Sequence, residues 1–150
     1  FADLPAHFPL TVDFATGLYF RREGPGVLVG MSNRDEEPGF KTDVNWPFLE
    51  KVVEMAVHRV PILRNAEVMR AWSGFYEVTP DHHPILGPVE EVRGLVCAAG
   101  FSGHGFMHAP ATGMVIAEVI VDGRATTVDI TPLSLARFRE GRVIEELAVI

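Results

Sequence analysis

The sequence predicts an α+β fold, on three observations. Residues 10–33 alternate short extended runs with glycine turns, the pattern of an antiparallel β-meander. Residues 45–60 carry apolar side chains at helical spacing between a capping asparagine and a proline. Residues 94–123, GLVCAAGFSGHGFMHAPATGMVIAEVIVDG, run from an apolar stretch through a glycine-studded loop (Gly100 to Met107) into an apolar helical stretch. Strand, glycine loop and helix in that order make a site for something electron-rich.

Each element has its own local cause. LTVDF and LYFRR flank the turn ATG, and GVLVGM follows the turn EGPG. The charged stretch NRDEEPGFKT, Asn33 to Thr42, reads as a surface loop. Asn45 caps a helix with Pro47 in its first turn, where a missing N–H costs nothing. Leu49, Val52, Val53, Ala56 and Val60 form its apolar stripe, and Pro61 ends it. AEVMRAWSGFYEV, residues 66–78, is expected to be extended, with aromatic Trp72, Phe75 and Tyr76. TPDHHPILGP reads as a turn and a short strand, and Leu95 to Ala99 as a buried strand. A helix is expected from Pro110 to Val121, with Pro110 in its first turn and Gly123 just past its end. Glu118 is nearly its only charge, so burial on most sides is expected. The tail, TTVDITPLSLARFREGRVIEE, reads as looser, ending in a polar helix or an extended arm.

Composition bounds the function. With 150 residues, 47% of them apolar, the chain can bury a real core. A net charge of −7 without a basic cluster argues against nucleic acid and anionic membranes as partners. No apolar run is long enough to span a bilayer, and no charged-then-apolar leader is read at the start. The lone Cys97 excludes an internal disulfide framework and fits a reducing compartment, so a cytoplasmic location is expected. Because it opens at Phe1, in what reads as the middle of a sheet, the chain is expected to be processed or the C-terminal portion of something larger; a trimmed start is the blander alternative.

The glycine loop admits four chemistries. A hydrolase elbow needs G-x-S-x-G, but Gly100, Phe101, Ser102 and Gly103 are followed by His104 where glycine is required. A metal could use His104 and His108, four apart, yet they lie in a glycine loop, and His82 and His83 would point apart on a strand. The histidines are read as capping, hydrogen-bonding or solvent-facing, and no metal is expected. Neither G-x-G-x-x-G nor a P-loop occurs; GPGVLVG is one residue too long and lies between meander strands. In the fourth chemistry the glycines let a flat ligand approach, and unpaired amides at the helix start stabilise negative charge on it. A reduced flavin, with charge over N1 and the C2 carbonyl, is such a ligand. A purely structural loop stands beside this reading.

FYEVTPDHHPILGP followed by GLVCAAGFSGHGFMHAPATG resembles the C-terminal part of the D-amino-acid-oxidase-type family of FAD-dependent oxidoreductases. The similarity is strongest to its sarcosine oxidase β-subunit and dimethylglycine dehydrogenase branch, with glycine oxidases related. GLYFRREGPGVLVG resembles the family's substrate-domain hairpin, and the likeness runs from about Thr11 to Asp122. The resemblance implies a fragment: an antiparallel substrate-domain sheet plus the C-terminal strand–loop–helix part of a Rossmann-like FAD domain. Residues 1–64 would belong to the substrate-binding domain and 65–150 to the FAD domain. The G-x-G-x-x-G half that holds the FAD pyrophosphate would come from an N-terminal half, in the same or a separate chain.

Roles follow by position. The resemblance implies that the amides of Phe101, Ser102, Gly103, His104, Gly105, Phe106 and Met107 meet the pyrimidine edge of the flavin. It points to Tyr76 and His104 at the substrate pocket. Tyr19 is a further pocket candidate; core packing is the blander role for both tyrosines. His104 could also tune protonation of a substrate amine. Three departures stand out. Met107 occupies the place of a lysine in monomeric sarcosine oxidases, and Gly74 that of their FAD-attaching cysteine, so the flavin is expected to be noncovalent at this half. The arginine that glycine oxidases carry near Gly103 is missing. Either the absent half holds a substrate carboxylate, or the substrate has none in that place. Cys97 reads as a small buried residue.

The activity implied is oxidation of a secondary or tertiary amine or an amino acid, sarcosine-like, by hydride transfer to flavin N5. Water then hydrolyses the imine, and no residue of this chain is obliged to be a base. The partners implied are that small substrate, the N-terminal half, and an electron acceptor or further subunits. The isolated 150 residues are expected to bind FAD poorly and not to turn over. The alternatives are a non-catalytic flavoprotein-like subunit or assembly factor, hinted at by the polar tail from Arg137, and third a serine hydrolase.

Overall fold

Alternating runs closed by tight turns build a three-stranded antiparallel sheet, β1 (Thr11–Asp13), β2 (Leu18–Glu23) and β3 (Gly26–Gly30), in that order. The computed structural model describes Leu4, Pro5 and residues 7–144; Phe1 and the tail from 145 lie outside the described residues. The ATG turn is held by Asp13 Oδ1, which accepts from Ala15 N at 3.0 Å, and Gly17 takes φ 75°. Period-two alternation turns Leu18 and Phe20 inward on β2, where both are buried.

Helix α1 (Trp46–Arg59) begins as its sequence requires: Asn45 Oδ1 accepts from Phe48 N at 3.1 Å and Pro47 sits in the first turn. Val52 and Ala56 are buried and join Leu18, Phe20 and Leu63 in the core, whereas Val53 lies on the exposed flank. Pro61 ends the helix and opens a 3₁₀ turn, Pro61–Asn65. Asn45→Ala is expected to cost about 1 kcal/mol, the usual worth of such a cap, read as a lowered urea midpoint.

Residues 66–78 were expected to be extended, but they join no sheet among the described residues. Trp72, Phe75 and Tyr76 are all at least half exposed or nearly so. Local bonds hold the segment instead: Ser73 Oγ donates to the Thr42 and Asp43 carbonyls at 2.6 and 3.2 Å, and Phe75 meets Phe40 edgewise at 6.2 Å. The chain forms two compact units, one up to Phe75 and one from Tyr76.

In the second unit β4 (Ile85–Pro88) pairs antiparallel with β5 (Val96–Ala99), and α2 (Gly105–Asp122) packs on both. The apolar run ending at Ala99 is not buried: Leu95, Ala98 and Ala99 are exposed and Cys97 is half-buried. Hydrophobic composition marked it as a core strand, but in this chain β4 is its one sheet neighbour among the described residues.

Helix α2 starts at Gly105, ahead of the expected Pro110, which therefore lies inside the helix and forfeits one backbone bond. Gly123 ends it in the left-handed conformation, φ 76°, as expected of a glycine there. The helix is not buried on most sides either. Val115 and Val119 form a single buried stripe, while Phe106, Ile120 and Val121 are exposed. Glu118 accepts from the Thr126 and Thr127 amides at 2.6 and 3.0 Å and from the Thr127 hydroxyl. Those bonds, the hydroxyl first, pull its carboxyl down to about 2.

The tail is more ordered than its composition suggests. A 3₁₀ turn, Thr131–Leu133, leads into the short helix α3 (Ala136–Arg139), and Arg137 is 0% exposed rather than on a solvated face.

Candidate functional site

The loop between β5 and α2 has a backbone that side chains rarely allow. Gly100, Ser102 and Gly103 take φ of 74°, 51° and 96°. Gly100 is buried, and a Cβ there would lie 2.3 Å from Thr79 Cγ2, so glycine is required by space as well as by φ. Ser102 tolerates its strain because the loop is stitched down: its N–H donates to the Glu77 carbonyl at 3.2 Å, and its hydroxyl donates to the Gly100 carbonyl at 3.4 Å. That hydroxyl, 2% exposed, also lies 3.5 Å from Thr79 N, which donates to it. Its bonding partners are backbone groups, with no imidazole among them. A serine nucleophile needs the reverse, an accessible oxygen against a base.

Tyr76 meets the loop. A Cβ on Gly103 would come within 3.0 Å of the Tyr76 ring, so the ring lies over this glycine, with 47% of the residue still exposed. Phe101 sits against Gly105 in the same way, at 3.3 Å. Tyr19 belongs to the first unit, where its ring covers its cross-strand partner Gly30: a Cβ there would fall 2.2 Å from Tyr19 Cζ.

The loop amides divide into two groups. Ser102 N and His104 N are used internally, by the Glu77 and Phe101 carbonyls. The first bond of α2 runs from His108 N to His104 O at 3.3 Å. The amides of Gly105, Phe106 and Met107 therefore precede every intrahelical acceptor, and His104, at the N-cap, makes no side-chain capping bond to them among the described residues. Three donors and the positive helix end are left together. His104, partly buried, places its ring 6.1 Å from that of His108, one turn along, and His108 is 6.3 Å from Phe101. No group of three or more metal-ligating side chains occurs among the described residues.

The turn before β4 holds what sequence reasoning missed. Asp81 accepts from Arg137 Nε at 2.7 Å and Nη2 at 2.8 Å, with both side chains essentially sealed from solvent. It also accepts from His83 N at 3.2 Å. The Thr79 hydroxyl donates to the His83 carbonyl at 2.7 Å and lies 3.2 Å from the same carboxylate. The bonded guanidinium holds the Asp81 carboxyl well below the usual carboxylate range, against the opposite pull of burial. His82 takes φ 59° in this tight turn, and its buried Nδ1 lacks a hydrogen-bond partner among the described residues. The available signal was an arginine set among Leu133, Leu135, Ala136 and Phe138, a charge in an apolar run.

The comparisons fit this geometry. Residues 2–119 match the family described as DAO, FAD dependent oxidoreductase. The mouse FAD-dependent oxidoreductase domain-containing protein 1 is 38% identical over 148 residues, 95% of this chain and 30% of the relative. The crystal structure of L-proline dehydrogenase from P. horikoshii matches with a TM-score of 0.84 and 33% identity, over 91% of this chain and 36% of that one. Glycine oxidase from Geobacillus kaustophilus matches with a TM-score of 0.72 and 31% identity, over 80% and 32%. The chain thus spans about a third of the length of these relatives.

The residues present fit a flavin edge. The space a side chain would take at Gly100, Gly103 and Gly105 is filled by Thr79, Tyr76 and Phe101, and the Gly105–Met107 amides at the start of α2 suit an electron-rich ring edge.

Proposed function

The chain belongs to the FAD-dependent oxidoreductase family, and from that premise we propose that it is the C-terminal portion of a flavoenzyme that oxidises a secondary or tertiary amine or an amino acid. The observation that carries the reading is the uncapped start of α2 behind a glycine loop, with the Tyr76 ring over Gly103. FAD, when bound, takes up the hydride equivalent from the C–H bond beside the substrate nitrogen.

The chain's own residues do the rest. Gly105, Phe106 and Met107 would hold the flavin's pyrimidine edge with their amides, while the Ser102 and His104 amides and Phe101 keep the loop in shape. Tyr76 and His104 would line the amine's position, and Tyr19, on the meander, is proposed separately as a substrate-binding residue. No arginine stands in the loop, so either residues outside it bind a substrate carboxylate or the substrate has none in that place. Residues 1–64 serve substrate binding and the remainder the FAD domain, completed by a half that carries the pyrophosphate site. The buried, backbone-bonded Ser102 hydroxyl speaks against the hydrolase reading.

The test is a visible absorption spectrum of the protein expressed with its natural flanking coding sequence, before and after acid precipitation. Anaerobic titration with sarcosine, dimethylglycine, glycine and proline follows. A flavin spectrum that leaves with the supernatant and bleaches with one of these amines is expected. A colourless protein, or bound flavin that none of them reduces, overturns the reading.

A further inference from the structure

We propose that Arg137 is a positioning residue for the flavin-facing loop, acting through Asp81 and Thr79 to fix the backbone from Gly100 onward. The proposal rests on the reading of that loop given above and adds a remote determinant to it.

Each of the five guanidinium N–H groups has an acceptor. Nε and one Nη2 hydrogen go to the two Asp81 oxygens, the other Nη2 hydrogen to the His83 carbonyl at 2.8 Å, and Nη1 to the Leu133 and Ser134 carbonyls at 2.9 and 3.2 Å. The tail is thereby tied to the turn in one orientation. Asp81 and the His83 carbonyl, both gripped by Arg137, are the two groups that surround the Thr79 hydroxyl. With its hydroxyl directed there, Thr79 turns its methyl group to Gly100, where even one more carbon would collide. Its amide faces Ser102 Oγ, and Ser102 N in turn reaches Glu77, so the strand before the turn and the glycine loop share one set of bonds.

Stability alone does not call for this device. A buried ion pair is often matched or exceeded by apolar residues of equal volume, because desolvation offsets its attraction. The fork of an arginine on a carboxylate supplies direction. Here the direction is passed to Thr79 and from Thr79 to the first left-handed residue of the loop.

The experiment compares wild type, Arg137→Lys and Thr79→Ser in the protein expressed with its natural flanking sequence. Three quantities are read: FAD affinity of the apoprotein by fluorescence, the flavin absorption envelope, and hydrogen exchange of the peptide covering residues 100–107. Lysine keeps the charge but not the fork, and serine keeps the hydroxyl bonds but removes the methyl on Gly100. Both are expected to weaken FAD about tenfold, the scale of coupling between linked sites, to alter the envelope, and to speed exchange across 100–107. Melting temperatures that fall while affinity, envelope and loop exchange stay at wild-type values overturn the proposal. If Arg137→Lys does not fold, Thr79→Ser decides alone, since it leaves the ion pair intact. A wild type that binds no FAD defeats the flavin reading instead, and loop exchange still decides whether Arg137 shapes the loop.

Discussion

Replacing Gly100 by alanine is expected to destabilise the protein by about 2–5 kcal/mol, the left-handed backbone penalty added to that of an overpacked interior. At φ 74° an L side chain strains against its own carbonyl, and the new methyl would stand 2.3 Å from Thr79 Cγ2. Thr79 has little room to yield, because its hydroxyl is held between Asp81 and the His83 carbonyl. Gly94 provides the control. It too is left-handed, φ 84°, but a Cβ there meets nothing within 4 Å. Gly94→Ala should therefore cost only about 1–2 kcal/mol, the backbone term by itself. Urea midpoints of the two variants separate the terms: equal losses would mean that Thr79 does not close over Gly100.

Asp81→Asn is expected to cost about 3–5 kcal/mol, the range for breaking a buried pair and leaving one charge without its partner. Asparagine keeps the shape but leaves the Arg137 guanidinium sealed in with no countercharge. Replacing both residues with apolar ones of similar volume should recover most of the loss. The pH dependence has a definite sign. Arg137 holds the folded Asp81 carboxyl below its unfolded value, so its contribution is fully present above an unfolded pKa of about 3.9. That contribution is lost as pH falls further, through the folded value. The stability gap between wild type and Asp81→Asn should thus be flat near neutrality and narrow only under acid conditions. A gap that closed between pH 8 and 6 would contradict the pairing.

Much of the chain could be read from short stretches. The ATG and EGPG turns, the Asn45 cap with Pro47 behind it, and Gly123 as the end of α2 all appear where their chemistry places them. Each depends on groups within four residues: a side-chain oxygen reaching an amide, a fixed proline φ, a glycine free to turn left. The paired motifs TPDHHPILG and GFSGHGF carry the flavoenzyme resemblance for the same reason, since a tight turn and a loop with left-handed residues need particular residues locally.

The rest waited for the tertiary structure. Pro110 is a helix-start signal taken alone, yet α2 begins at Gly105, because the loop backbone is already turning helical after His104. Residues 66–78 read as extended from their aromatics, but they pair with no described strand, and Tyr76 instead covers Gly103. Arg137 read as part of a solvated tail, and it is the most buried charge among the described residues because Asp81, 56 residues earlier, comes to meet it. The sequence by itself determined the turns, the caps, the glycines of the loop and the family they belong to. Only the fold decided which side chains are buried and which are paired, because a charge or an apolar face is satisfied by whatever distant segment the backbone brings against it, and no local pattern encodes that neighbour.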